Sequence, residues 1–452
     1  MNTIARLKDS FSKDLKNLSS KPHYVGLKIF QIGILFLAAA PAISFILLIL
    51  SSFIGSFKRS NNFFNDKFNF PFILVAILMI FNCLIITFFK KDIQSYEISK
   101  IWIGLLNWIP FFWCFWGFQP FLDNHHLRIK TAKLFIIGSL PVLISGFSQY
   151  FLKNYGPYYF FNNLIIWYQR PLDKDHMVTG LFNNQNYAGA WLCIVFPLCL
   201  VFLGKKNDNK FRKILFFLLC FSFFFMIILT TSRAAILAIF ISLFLSSDVI
   251  KNKFLALISL LSIPLILNLI KVYSVNFQSK FFNFVPFESL IKKASLTNFS
   301  NIQLDPRIEI WQKSLEIIKS NLLTGYGAGS FELLYKQANG AIGEIFHSHN
   351  IFFELAISHG LPSSLIIFFT MIYIVIFSWK INFNQLGKKS EGDIVFKNFD
   401  KAWIISFIIF FLIHIVDITY FDGRISTISW ILLSGMVCII KSKKGLNRPY
   451  SS

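Results

Sequence analysis

Negative charge, paired cysteines and polar stretches are all scarce in this 452-residue chain. Asp and Glu number 22 against 44 Lys and Arg, a formal net charge of +22. The six cysteines (Cys83, Cys114, Cys193, Cys199, Cys220 and Cys438) lie in apolar runs, and none forms a C-x-x-C pair. That disfavours disulfides and thiolate metal sites and leaves buried packing as the expectation. The N-terminus carries no small-residue cleavage signature, and no Walker pattern or internal repeat is evident. What abounds is apolar. Hydrophobic residues make up 55% of the chain, and mean hydropathy is +0.59, beyond the usual range of soluble domains. The surplus positive charge would suit nucleic acid, but the Lys and Arg fall in short stretches between apolar runs. That is the pattern of cytoplasmic membrane loops, and no nucleic-acid partner is expected.

Runs of about 20 apolar residues read as membrane helices, so a lipid bilayer is the expected surrounding. Here the runs are Ile29–Phe57, Phe70–Phe89, Ile101–Leu122, Leu134–Phe151, Tyr187–Leu203, Ile214–Leu229, Ala234–Leu245, Phe254–Val272, Leu361–Trp379, Trp403–Val416 and Ser426–Ile440. Ile29–Phe57 is long for one span and holds Pro41, so it reads as one kinked helix or a hairpin of two short ones. Placing Lys441, Lys443 and Lys444 inside puts Lys380–Lys401, Lys251–Lys253 and Lys205–Lys213 inside too; Lys90–Lys100 falls outside, a mild violation. For the basic N-terminus also to be inside, Ile29–Phe57 must cross twice. The expected fold is an all-α polytopic membrane protein of about twelve transmembrane helices with one long, partly helical extracytoplasmic loop. Residues 1–28 form a basic cytoplasmic segment, either a helix on the membrane surface or a disordered tail. Transmembrane helices occupy 29–272, with an outer loop near 153–187. The extracytoplasmic loop is 273–360, further spans occupy 361–441, and 442–452 is a cytoplasmic tail.

The residues that can carry chemistry gather on the outer side. Arg233 sits between two apolar runs. It is either an interfacial anchor or, because the next span is short, a cation drawn into a cavity to meet an anion. Asp305-Pro306 starts a helix, along which Ile308, Trp311, Leu315 and Ile318 form an apolar stripe. Arg307 in its first turn opposes the helix dipole, so it pairs with a carboxylate or binds a ligand. In Thr324-Gly-Tyr-Gly-Ala-Gly329, Gly325 and Gly327 allow close backbone approach, or simply make a turn. His347-Ser348-His349-Asn350 precedes a short helix that Gly360 ends and Pro362 follows, with His349 expected on its first turn. Histidines two apart do not share a helical face, so a zinc site is not expected. The outer loops also hold no D-x-D-like cluster for a divalent cation. A lone histidine is usually structural; beside two arginines it suits a general base. Asp417, Asp422 and Arg424 mark the outer end of the last two spans, as a functional carboxylate or a structural Asp–Arg pair.

Taken in order, these motifs resemble the O-antigen ligase and polymerase family of polytopic membrane glycosyltransferases. The matching stretches are Gly180 to Asn186, Arg233-Ala-Ala-Ile-Leu237, Arg307 to Trp311, Gly325 to Gly329, and His349 followed after ten residues by Gly360. The resemblance runs roughly from Gly180 to Trp430. It implies an inverting, metal-independent transfer with no cofactor. Arg233 and Arg307 would hold the pyrophosphate of an undecaprenyl-pyrophosphate-linked glycan, and His349 would deprotonate an acceptor glycolipid or glycan. Asn186, Gly325, Gly327, Asn350 and Asp417 are carried along as substrate-binding candidates. The implied location is the bacterial inner membrane, with the site facing the periplasm. Ligases and polymerases share these motifs. A transporter for polysaccharide or inorganic carbon is the alternative, disfavoured because the span centres are nearly charge-free.

Overall fold

The computed structural model describes residues 21–57, 63–89, 95–173, 177–203, 209–246, 306–339, 345–383 and 391–443. The span expected at Phe254–Val272, the Asp305 helix cap and the N-terminal basic helix or tail before residue 21 lie outside these residues. Within them, every apolar run is helical. Ile29–Phe57 is the hairpin and not the single kinked helix: α1 (Lys21–Phe36) and α2 (Pro41–Phe57) pack closely, with Ser44 Oγ donating to Gly33 O at 2.7 Å. Pro41 opens α2, where a missing N–H costs no helix bond. The first helix begins at Lys21, several residues before the apolar run does.

Next come α3 (Phe70–Phe89), α4 (Ser95–Gly104), α5 (Ile109–Gly117), α6 (His125–Gly138) and α7 (Leu140–Phe151). The run at Ile101–Leu122 is broken by a 3-10 turn before Pro110, which cannot continue a regular ladder. The hairpin β1 (Tyr158–Phe160) and β2 (Ile165–Trp167) pairs antiparallel and is a small departure from an all-α chain. The bundle then adds α8 (Gln185–Leu203), α9 (Lys210–Thr230) and α10 (Arg233–Leu245). The polar loop contributes α11 (Pro306–Ser320), α12 (Phe331–Asn339) and α13 (Ile351–His359), and α14 (Leu361–Phe383), α15 (Glu391–Val416) and α16 (Gly423–Lys443) close the chain.

Among the described residues, 8 helical stretches are long and apolar enough to cross a membrane, and α1, α2 and α10 are shorter apolar helices. α8 and α16 are almost wholly buried, whereas about two thirds of the residues of α3, α9 and α14 are half-buried or exposed. Those outward faces carry Phe81, Phe88, Phe217 and Phe369, as helices against lipid require. Three large indoles at the centre have their N–H groups bonded: Trp403 to Leu432 O at 2.7 Å, Trp191 to Ser139 Oγ at 2.9 Å and Trp430 to Tyr420 OH at 2.9 Å.

The bundle has two polar ends. At one, Arg128 pairs with Asp400 and Lys441 with Asp66. The other lies about 25 Å further along α15, where Asp417 ends that helix. There α11, α12 and α13 form a small apolar platform of Ile310, Ile317, Ile318, Phe331, Tyr335 and Ile357. The buried face of α11 is therefore Ile310, Ser314, Ile317 and Ile318; of the expected stripe, Ile318 is buried and Trp311 packs half-buried against the platform. Leu315 is exposed, because docking on α13 turns the helix toward its other apolar positions.

Candidate active site where helix ends converge

Each candidate is set in place by local chain geometry. Thr231 adopts a left-handed conformation (φ 51°) that ends α9, so the chain restarts as α10 with Arg233 at its first residue. Gly189 of α8 lets this turn approach closely, since a Cβ there would lie 2.8 Å from that of Ala235. Arg233 is thus brought beside the first turn of α8, which holds Gln185 and Asn186. The preceding backbone is fixed by Gln149, whose Oε1 accepts from Thr179 N (3.0 Å) and Gly180 N (2.9 Å).

A cavity of about 150 Å³ lies between these elements. Gln185 and Asn186 line it from α8, Ser232 and Arg233 from α10, Arg307 from α11, and Asp417 from the end of α15. Three helices therefore begin beside one small volume, and a helix start carries a partial positive charge. Arg233 is exposed and Arg307 half-buried. Two guanidinium groups and three helix starts favour negative charge there, and Asp417 already supplies one carboxylate at the rim.

Asp417 joins this cavity to the histidine loop. His349 Nδ1 donates to Asp417 Oδ1 at 3.2 Å, since an ionised carboxylate can only accept. Burial alone would raise the Asp417 carboxyl, but the His349 hydrogen bond and the nearby charges of His349 and Arg307 hold it below the usual range. Arg424 pairs with Asp422 instead. Of the two sequence readings, the Asp–Arg pair belongs to Asp422, and Asp417 is the partner of His349. Nothing local in the chain signals this contact across 68 positions.

His349 is not on a helical turn. It has φ 53°, Asn350 is the helix cap, and α13 begins only at Ile351. The Asn350 side chain accepts from Phe352 N and Phe353 N and donates to Ile415 O at 3.0 Å, so its amide is engaged within the protein. The left-handed step also changes where His347 goes. Its ring stands 4.2 Å from that of His349, and the two histidines and Asp417 offer ligand atoms within 4.8 Å of one another. Because neither histidine is helical, the rule that keeps residues two apart on different helix faces does not apply to this loop.

Glu354 went unassigned. It is buried and accepts from Ser348 N at 3.0 Å, holding the loop between the histidines; burial raises its carboxyl to about 7. The available signal was an acid in the first turn of an apolar helix. Gly325 and Gly327 lie away from the cavity lining. Both have positive φ, and the turn is sewn to α13 through Tyr326 N to Ile357 O (2.7 Å) and Gly327 N to Ser358 O (3.0 Å). A Cβ at Gly325 would sit 2.6 Å from Ile357 O, so these glycines serve backbone docking.

Residues 218–369 match the family model described as O-antigen ligase. The match contains Arg233, Arg307, His349 and Gly360; Asn186 and Asp417 lie outside it. No curated protein matches the sequence.

Proposed function

With residues 218–369 assigned to the O-antigen ligase family, we propose that this chain is a glycosyltransferase acting on a lipid-pyrophosphate-linked glycan at the extracytoplasmic face of the bacterial inner membrane. The observation that carries the proposal is the cavity lined by Arg233 and Arg307, with the His349–Asp417 pair on its edge. The donor pyrophosphate lies against Arg233, Arg307 and the first turns of α8, α10 and α11. Guanidinium forks suit phosphate oxygens in a way a point charge does not. Undecaprenyl is the expected lipid, and the lipid chain itself lies in the bilayer.

The reaction is a single displacement. The acceptor hydroxyl oxygen attacks the anomeric carbon as the bond from that carbon to the phosphate oxygen breaks. The bonding pair leaves with the pyrophosphate, whose growing charge the two arginines and helix ends stabilise. The acceptor proton passes to His349 Nε2. Asp417 prepares that transfer: by holding the proton on Nδ1 it leaves Nε2 with its lone pair, and it stabilises the imidazolium that forms. Asn350 and Glu354 position the loop.

The test is an assay with purified protein, a lipid-pyrophosphate glycan and a panel of acceptors. Acceptor-dependent release of lipid pyrophosphate is expected. Coupling to a lipid-linked core would mark a ligase, and coupling to a second glycan a polymerase. Donor binding without turnover on any acceptor, accompanied by glycan movement across proteoliposomes, would overturn the proposal in favour of transport.

A further inference from the structure

His347 has no part in the proposed transfer, yet it is half-buried against His349 and within reach of Asp417. We propose that His347, His349 and Asp417 bind one divalent transition-metal ion of the zinc class, and that the bound ion inhibits transfer by occupying His349. The inhibition rests on the base role given to His349 above; the binding does not.

The donor set carries the argument. Two imidazoles and a carboxylate, with ligand atoms within 4.8 Å of one another, make a three-ligand site with an open fourth position. Imidazole nitrogens favour zinc-like ions over magnesium or calcium, which seek oxygen. The ligands are already fixed from behind. Glu354 accepts from Ser348 N between the two histidines, Asn350 Nδ2 donates to Ile415 O, and Ile418 N donates to Asp417 Oδ1 at 2.9 Å. Arg233 and Arg307 oppose a bare dication, so the fourth ligand is an anion, either hydroxide or a phosphate oxygen.

The probe is Co²⁺, followed by visible absorption, added to chelator-stripped full-length protein in detergent. The spectrum of a low-symmetry site should saturate near one equivalent, be displaced by Zn²⁺ and be unaffected by Mg²⁺. His347→Ala, with His347→Gln as a closer-shaped second variant, should weaken binding at least about tenfold while the thermal melt is kept. In the transfer assay, Zn²⁺ should stop the unaltered protein reversibly and leave His347→Ala running. Absence of the Co²⁺ spectrum, or an unchanged spectrum in both folded His347 variants, overturns the metal site. Binding that needs His347 but leaves turnover intact overturns the inhibition and the base role of His349 together, and upholds the site.

Discussion

The two polar ends of the bundle use the same kinds of residue to opposite effect. At one, Arg128 and Asp400 are each only 2% exposed. Arg128 donates through Nε to Asp400 at 3.0 Å and through a terminal nitrogen to Leu122 O at 2.8 Å, while His125 Nδ1 also meets Asp400 at 3.0 Å. The carboxylate is enclosed by its partners. At the other end Asp417 is equally hidden, at 5% side-chain exposure, but its histidine is 29% exposed and the arginines line a cavity. Aspartate, histidine and arginine in contact do not make a reactive site. Reactivity requires that part of their hydrogen-bonding and charge capacity be turned toward a space that a substrate can enter.

The contrast can be broken most severely at the closed end. Arg128→Ala leaves Asp400 buried without its main counter-charge, which should cost about 3–5 kcal/mol. Thermal unfolding in detergent should register the loss, while transfer per folded molecule stays normal. At the open end the pattern inverts. His349→Ala should lower transfer by about 100-fold or more with the melt and donor binding kept, and His347→Ala should be milder. Loss of donor affinity alone would remove the base role. Arg233→Lys and Arg307→Lys keep charge but lose the fork, so each should slow transfer at least about tenfold with expression intact. Full activity in both would end the pyrophosphate assignment. Glu354→Gln should change turnover least. The buried carboxyl of Glu354 is raised to about 7, so its contribution to stability is full below about 4.5 and is lost as pH rises through 7. The variant should melt with the unaltered protein at pH 5 and above it at pH 8.

Much of this was legible in the sequence because lysine bias reports on membrane sides. Counting spans placed Asn186, Arg233, Arg307, His349 and Asp417 on one face, and all five meet at or beside one cavity. The helical fold was legible for the same reason, as long apolar runs allow little else in lipid. Three features were hidden. Pairing of His349 with Asp417 is a tertiary contact with no local signature. The left-handed backbone at His349 is uncommon for a residue other than glycine, and it moved both the helix start and the place of His347. The buried face of α11 was ambiguous because its sequence offers apolar residues on two adjoining faces, and only packing on α13 chose between them.

The seam between the glycine turn and α13 also acts as a ruler. Leu361 N bonds Leu322 O at 2.8 Å, Gly360 stands where a Cβ would collide with Leu323 O, and Asn82 Nδ2 donates to His359 O at 2.7 Å, so the far end of α13 is fixed. From that anchor the nine residues of α13 run about 14 Å back to the Asn350 cap, and His349 follows directly. The spacing between His349 and Gly360 is then a length and an angle together. One residue added within α13 would carry the imidazole about 1.5 Å along and about 100° around the helix axis, away from Asp417, with every side chain of the site still present.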